Sequence, residues 1–191
     1  VFMLIVTAVF TLALALINEF TKEKIEYNNE IKIKRTLLYV LNIDIPNNDN
    51  ESITSTYDAM IEEAVINDLK VYMAKENNEV IGYAFEVQGD GLWGTINGYA
   101  AVTSDYRQLI GIDFVSHSET PGLGGRISDS EYKEQFRYLE LNAENDKYII
   151  HRPNPGGNID AIAGATQTAE SVRKMLNEDI HVFIQAVGGE R

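Results

Sequence analysis

The run Asp160-Ala161-Ile162-Ala163-Gly164-Ala165-Thr166-Gln167-Thr168 sets small residues and two hydroxyls directly ahead of an amphipathic pattern. In that pattern Val172, Met175, Leu176, Ile180, Phe183 and Val187 recur every three to four residues, and Gly188-Gly189 supplies a stop, so a helix is expected with Thr168 in its first turn. A helix start leaves its first backbone N–H groups unpaired and carries the positive end of the helix dipole. With Gly164, Ala165, Thr166 and Thr168 gathered there, the segment reads as an anion site suited to a phosphate. The competing reading makes Thr166 or Thr168 an N-cap, worth about 1 kcal/mol to the helix.

Two further stretches have the composition of ligand loops. In Thr120-Pro121-Gly122-Leu123-Gly124 the proline fixes one backbone angle and the glycines admit close approach of main chain to a ligand, although an ordinary tight turn has the same composition. Gly89-Asp90-Gly91-Leu92-Trp93-Gly94 formally satisfies G-x-G-x-x-G. A dinucleotide site needs a helix immediately after those glycines, whereas Thr95 to Ala100 reads as a strand, so a turn is expected instead. Trp93 offers either a large flat apolar surface to a planar ring or a core side chain.

Taken together, Asp160 to Thr168, Glu119-Thr120-Pro121-Gly122-Leu123-Gly124 and Gly91-Leu92-Trp93-Gly94 resemble the FMN-binding domain family. The resemblance covers about residues 1 to 187. It lies closest to the branch holding the C subunit of Na+-translocating NADH:quinone oxidoreductases (Nqr), with the G subunit of the related Rnf complexes next. The first segment matches the family pattern D-x-x-S/T-G-A-T-x-T, with Ala163 where serine or threonine is usual. The resemblance implies FMN joined by a phosphoester to Thr168, with Thr166, Gly164, Ala165, Thr120, Gly122, Leu123, Gly124 and Trp93 around it. It also implies a separate flavin transferase that uses FAD and magnesium, which makes Thr168 a modification site. No catalytic side chain is then expected, because the redox chemistry belongs to the cofactor and the NADH and quinone sites to other membrane subunits. The implied role is electron transfer within a cation-pumping complex, not independent catalysis. An Rnf-type protein, a free-standing extracytoplasmic carrier and a non-redox anchored adaptor are the alternatives.

Other chemistries find little support. Net charge is −13, against nucleic-acid binding, and cysteine is absent, which excludes disulfides, thiolate catalysis and iron–sulfur ligation by this chain. His117, His151 and His181 have no metal-ligand spacing, so no metal site is expected. Ser118 and Ser171 lack a G-x-S-x-G elbow, and Glu62-Glu63 reads as a solvated face.

These motifs require a scaffold. Val1 to Ile17 carries no charge, near the lower limit for spanning a bilayer, and is expected to be a membrane helix that continues upstream of Val1, in preference to a cleaved signal peptide. Lys22, Lys24, Lys32, Lys34 and Arg35 follow it, which by charge alone would hold the remainder in the cytoplasm, while the resemblance puts the flavin domain on the extracytoplasmic side of the cytoplasmic membrane. Residues 18–50 read as a helical stalk and linker broken at Pro46-Asn47-Asn48-Asp49-Asn50, and residues 51–191 as the FMN-binding domain. Within it a helix is expected over Tyr57–Ile66, then strands at Leu69–Lys75, Val80–Val87, Thr95–Val102 and Leu109–Ser116, a helix over Ser130–Leu139 and a strand at Tyr148–Ile150. Short turns between strands favour an α+β fold with a mainly antiparallel sheet, flanking helices and a preceding transmembrane helix.

Overall fold

The computed structural model describes residues 1–141 and 147–188, so Gly189 lies outside the described residues. Its centre is a six-stranded antiparallel meander in the order β1 (Ile61–Ile66), β2 (Leu69–Glu76), β3 (Glu79–Asp90), β4 (Thr95–Thr103), β5 (Gln108–Ser116) and β6 (Leu139–Glu140). Two-residue turns fix the first registers. Asn67-Asp68 (φ 47° and 65°) joins β1 to β2, and Asn77-Asn78 (φ 51° and 66°) joins β2 to β3, the left-handed pairs that match strand twist.

Both sheet faces are covered, so β4 is buried almost continuously instead of alternating with solvent. Against one face lies α4 (Thr166–Val187), whose Val172, Met175, Leu176, Ile180 and Phe183 meet Phe85, Val87, Ile96, Ala100 and Val102. Phe183 stacks on Phe85 with ring centroids 4.0 Å apart. Against the other face lie the last turns of α1 (Phe2–Val40) and all of α2 (Asn50–Met60), through Leu37, Leu38, Val40, Leu41, Ile53 and Tyr57. Asp49 caps α2 by accepting the Ser52 N–H at 2.8 Å.

Three local expectations are corrected. The helix expected over Tyr57–Ile66 stops at Met60, because Ile61–Ile66 pairs edge to edge with β2. The helix expected over Ser130–Leu139 reduces to α3 (Ser130–Lys133) and a 3-10 turn, Glu134–Phe136; left-handed Tyr138 (φ 50°) then turns the chain into β6. Tyr148–Ile150 forms no strand, since its main chain is held by side chains: Asn177 Oδ1 accepts from Tyr148 N and Ile149 N, and Asn158 Oδ1 from Ile150 N. The antiparallel sheet with flanking helices stands as expected.

A single apolar helix precedes the sheet. α1 contains an 18-residue window of mean hydropathy 2.1, none of it buried, enough by length and composition to cross a membrane. Burial on α1 begins at Ile31.

Candidate functional site

β3 and β5 end, and β4 begins, at the same edge of the sheet, which brings the turn 91–94 beside the loop leaving β5. The N-terminus of α4 lies at that edge as well. The three meet around one cleft of about 450 Å³, lined by Leu92, Trp93, Glu119, Thr120, Leu123, Gly124, Gly164, Ala165, Thr166, Gln167 and Thr168. Gly122 sits in the same loop with φ +74° but is not part of this lining.

The segments are tied together by Glu119. Its Oε1 accepts from the main chain of Leu92 (2.8 Å) and Trp93 (3.0 Å), and its Oε2 accepts from Thr168 Oγ1 (2.5 Å). Both side chains are buried, Glu119 4% and Thr168 1% exposed. Room for the carboxylate exists because two neighbours lack a Cβ: one on Gly91 would fall 2.5 Å from Glu119 Oε1, and one on Gly124 would fall 2.6 Å from both Glu119 Oε2 and Thr168 Oγ1. Among the described residues no cation pairs with Glu119; the buried oxygens are satisfied by two amides and one hydroxyl.

The start of α4 is uncapped by any side chain, with Ala165 at the capping position. Its first N–H groups are therefore free of side-chain acceptors, the arrangement that attracts an anion. Thr168 faces Glu119 and does not serve as the cap. At the rim Leu92, Trp93 and Leu123 are 50%, 67% and 49% exposed, an unusual amount of apolar surface around a polar floor. Trp93 is thus not a core residue. Ala163 lines another cleft, of about 490 Å³, with Arg126, Tyr132 and Arg152, and is not part of the lining around Thr168.

Further along α4, Glu170 accepts from Arg173 Nη2 at 2.6 Å, which holds its carboxyl below the usual range. His151 lies 3.6 Å from Glu170, and its pKa is lowered because burial outweighs the attraction of that carboxylate.

Residues 91–181 match the family model described as FMN-binding domain. The G subunit of the ion-translocating oxidoreductase complex of Shewanella piezotolerans is 30% identical over 157 residues, spanning 81% of this chain and 73% of that protein. The chain belongs to the FMN-binding domain family. The G subunit of the proton-translocating ferredoxin:NAD(+) oxidoreductase complex of Clostridium ljungdahlii is 32% identical over 119 residues, 62% of each chain, so less than two thirds of that relative is represented. In fold, the crystal structure of the C subunit of the Na(+)-translocating NADH-quinone reductase from Parabacteroides distasonis superposes with a TM-score of 0.75 at 22% identity, covering 89% of this chain and 98% of that one.

The cleft suits the cofactor of an FMN-binding domain. Exposed Trp93, Leu92 and Leu123 provide a surface for a planar ring, the uncapped helix start an anion site, and about 450 Å³ falls within the common range for cofactor pockets. Glu119, Leu92 and Gln167 were not among the residues expected to line the site. The signal for Glu119 was its place as the lone acid directly before Thr120-Pro121, in a loop too glycine-rich to bury a charge by side-chain packing.

Proposed function

We propose that this chain is a membrane-anchored flavoprotein subunit of an Nqr- or Rnf-type ion-translocating oxidoreductase, with FMN held by a phosphoester to Thr168. The observation that carries this reading is the convergence of Thr168, the uncapped start of α4 and the exposed Trp93, Leu92 and Leu123 on one cleft. When bound, the flavin supplies reversible electron transfer. The protein's part would be to hold and orient: the α4 N–H groups would take the phosphate, Thr120, Leu123 and Gly124 would help hold the ring, and the hydroxyl of Thr168 would provide the ester oxygen. Attachment requires a flavin transferase acting on the chain, and electrons pass to and from neighbouring membrane subunits.

The arrangement of α1 supports such a handover. Lys32 Nζ donates to Val115 O near the end of β5, while Val40 O accepts from Arg137 Nη1 beside Ile110, so α1 runs antiparallel to β5. Its apolar half therefore leaves the domain from the edge that carries the cleft. From Lys32 back to Ile17 is about 22 Å of helix at 1.5 Å per residue. In this reading residues 1–17 span the lipid, 18–30 form the stalk, and the last turns of α1, which pack on the sheet, together with residues 51–191 form the domain that holds the flavin on the extracytoplasmic side of the cytoplasmic membrane.

Co-expression with a flavin transferase, followed by intact-mass and peptide analysis, tests the assignment. The expected product carries one FMN less one water on Thr168. Thr168→Ala should abolish the adduct while the far-UV circular dichroism spectrum stays native; an adduct retained in that variant would refute it. Similarity to a relative named for ferredoxin:NAD(+) oxidoreduction keeps the Rnf-type role as a second reading. Whether the purified complex oxidises NADH with quinone, or reduced ferredoxin with NAD+, separates the two.

A further inference from the structure

Two threonines stand at the start of α4, and the exposed one, Thr166, is the more accessible. Thr168 is 1% exposed, so access does not single it out as an acceptor. What distinguishes Thr168 is its partner, a buried carboxylate oxygen 2.5 Å from Oγ1. That carboxylate is held from behind by the Leu92 and Trp93 amides, which leaves Oε2 aimed at the hydroxyl. Gly91 and Gly124 both lack the atom that would displace it. We propose that Glu119 selects Thr168 as the flavin acceptor and takes its proton during attachment. The inference rests on the reading of Thr168 as the attachment residue.

The step balances with FAD as donor. Thr168 Oγ1 attacks the phosphorus on the riboflavin side of the pyrophosphate, the P–O–P bond breaks, AMP leaves with the bridging oxygen, and the hydroxyl proton passes to Glu119 Oε2. No electrons are exchanged. The buried pocket then holds one negative charge before and after, first on the carboxylate and afterwards on the diester, so attachment does not bury a second anion beside the first. Esterification also removes the only hydrogen Thr168 Oγ1 had to donate. With the proton on Oε2, Glu119 becomes the donor in the same contact.

The proposal separates base from scaffold through Glu119→Gln. Glutamine has the same shape and can still accept from Leu92 N and Trp93 N, but its amide nitrogen facing Thr168 can take no proton. The full-length chain, its transferase and FAD are mixed, and adduct formation is followed by intact mass and peptide mapping. Non-covalent FMN affinity and the fluorescence of Trp93, the only tryptophan, report the integrity of the cleft. Attachment at Thr168 should slow by roughly 10²–10⁴-fold, as for loss of a positioned base, while the variant still binds FMN non-covalently and keeps the wild-type Trp93 emission. Glu119→Asp keeps the charge but is one methylene shorter; it should also be slow, and it serves as the readout if the glutamine variant does not fold. Wild-type rates at Thr168 in either folded variant would overturn the role of Glu119. If the wild-type chain itself gains no FMN at Thr168, the attachment reading fails first, and the two failures are distinct.

Discussion

Gly124 stands where three segments converge, and a Cβ there would lie 2.6 Å from Glu119 Oε2 and from Thr168 Oγ1. Neither neighbour can yield without breaking their mutual hydrogen bond, since Glu119 is also fixed by two amides. Gly124→Ala should therefore cost about 1–3 kcal/mol as overpacking, and should reduce FMN attachment to Thr168 in the same preparation. Gly122→Ala is the contrast: nothing lies within 4 Å of its Cβ, so only the left-handed backbone is strained, at about 1–2 kcal/mol, and the Glu119–Thr168 contact survives. Urea denaturation and intact-mass analysis check both. Gly124 was legible as a position of close approach, but Thr168 of α4 was not legible as one of the groups meeting it, because local sequence does not encode which distant residue a loop will meet. Thr168 was legible as a first-turn residue because the amphipathic pattern of α4 marks where the helix starts.

Elements were legible where their signals were local. The Asn77-Asn78 turn, the two alternating runs beside it and the amphipathic α4 all declare themselves over a few residues. Ile61–Ile66 has the look of helix because Glu62-Glu63-Ala64 has helical composition; its pairing with β2 across Asn67-Asp68 decides the matter. Tyr148–Ile150 failed differently, since Tyr148 and Ile149 are buried as strand residues would be but among the described residues no strand pairs with them. Asn177, near the middle of α4, takes the place of a neighbouring strand. It accepts from Tyr148 N (2.7 Å) and Ile149 N (2.9 Å) and donates to Ile149 O (2.9 Å). Replacing it by alanine leaves three backbone groups without partners in a buried setting. Asn177→Ala should lower stability by about 2–4 kcal/mol, read from the urea midpoint at unchanged slope. An effect below about 0.5 kcal/mol would show that the segment finds other partners.

For the whole molecule the question is where the exposed apolar segment ends and the packed fold begins, and α1 crosses that boundary without a break. Up to Glu30 its described residues are almost entirely exposed; from Ile31 it contributes Leu37, Leu38, Val40 and, at its C-cap, Leu41 to the face of the sheet opposite α4. These four are at most 4% exposed, and each buried aliphatic side chain contributes about 1.5–3 kcal/mol. Together they amount to a large share of the roughly 5–15 kcal/mol by which a domain of this size is stable. The same helix is thus long and apolar enough to cross a membrane at one end and forms part of a core layer at the other, which fixes the cleft's distance from the apolar segment by a continuous helix. A chain beginning at Glu30 should therefore be soluble without detergent, monomeric by size-exclusion chromatography and cooperatively unfolding. A chain beginning at Asn42 should expose the apolar face formed by Tyr72, Ala74, Ala84, Tyr99 and Ile110 and should aggregate or lose its cooperative transition. If the shorter chain folds as well as the longer one, α1 is only a tether, and the cleft is free to move relative to the membrane.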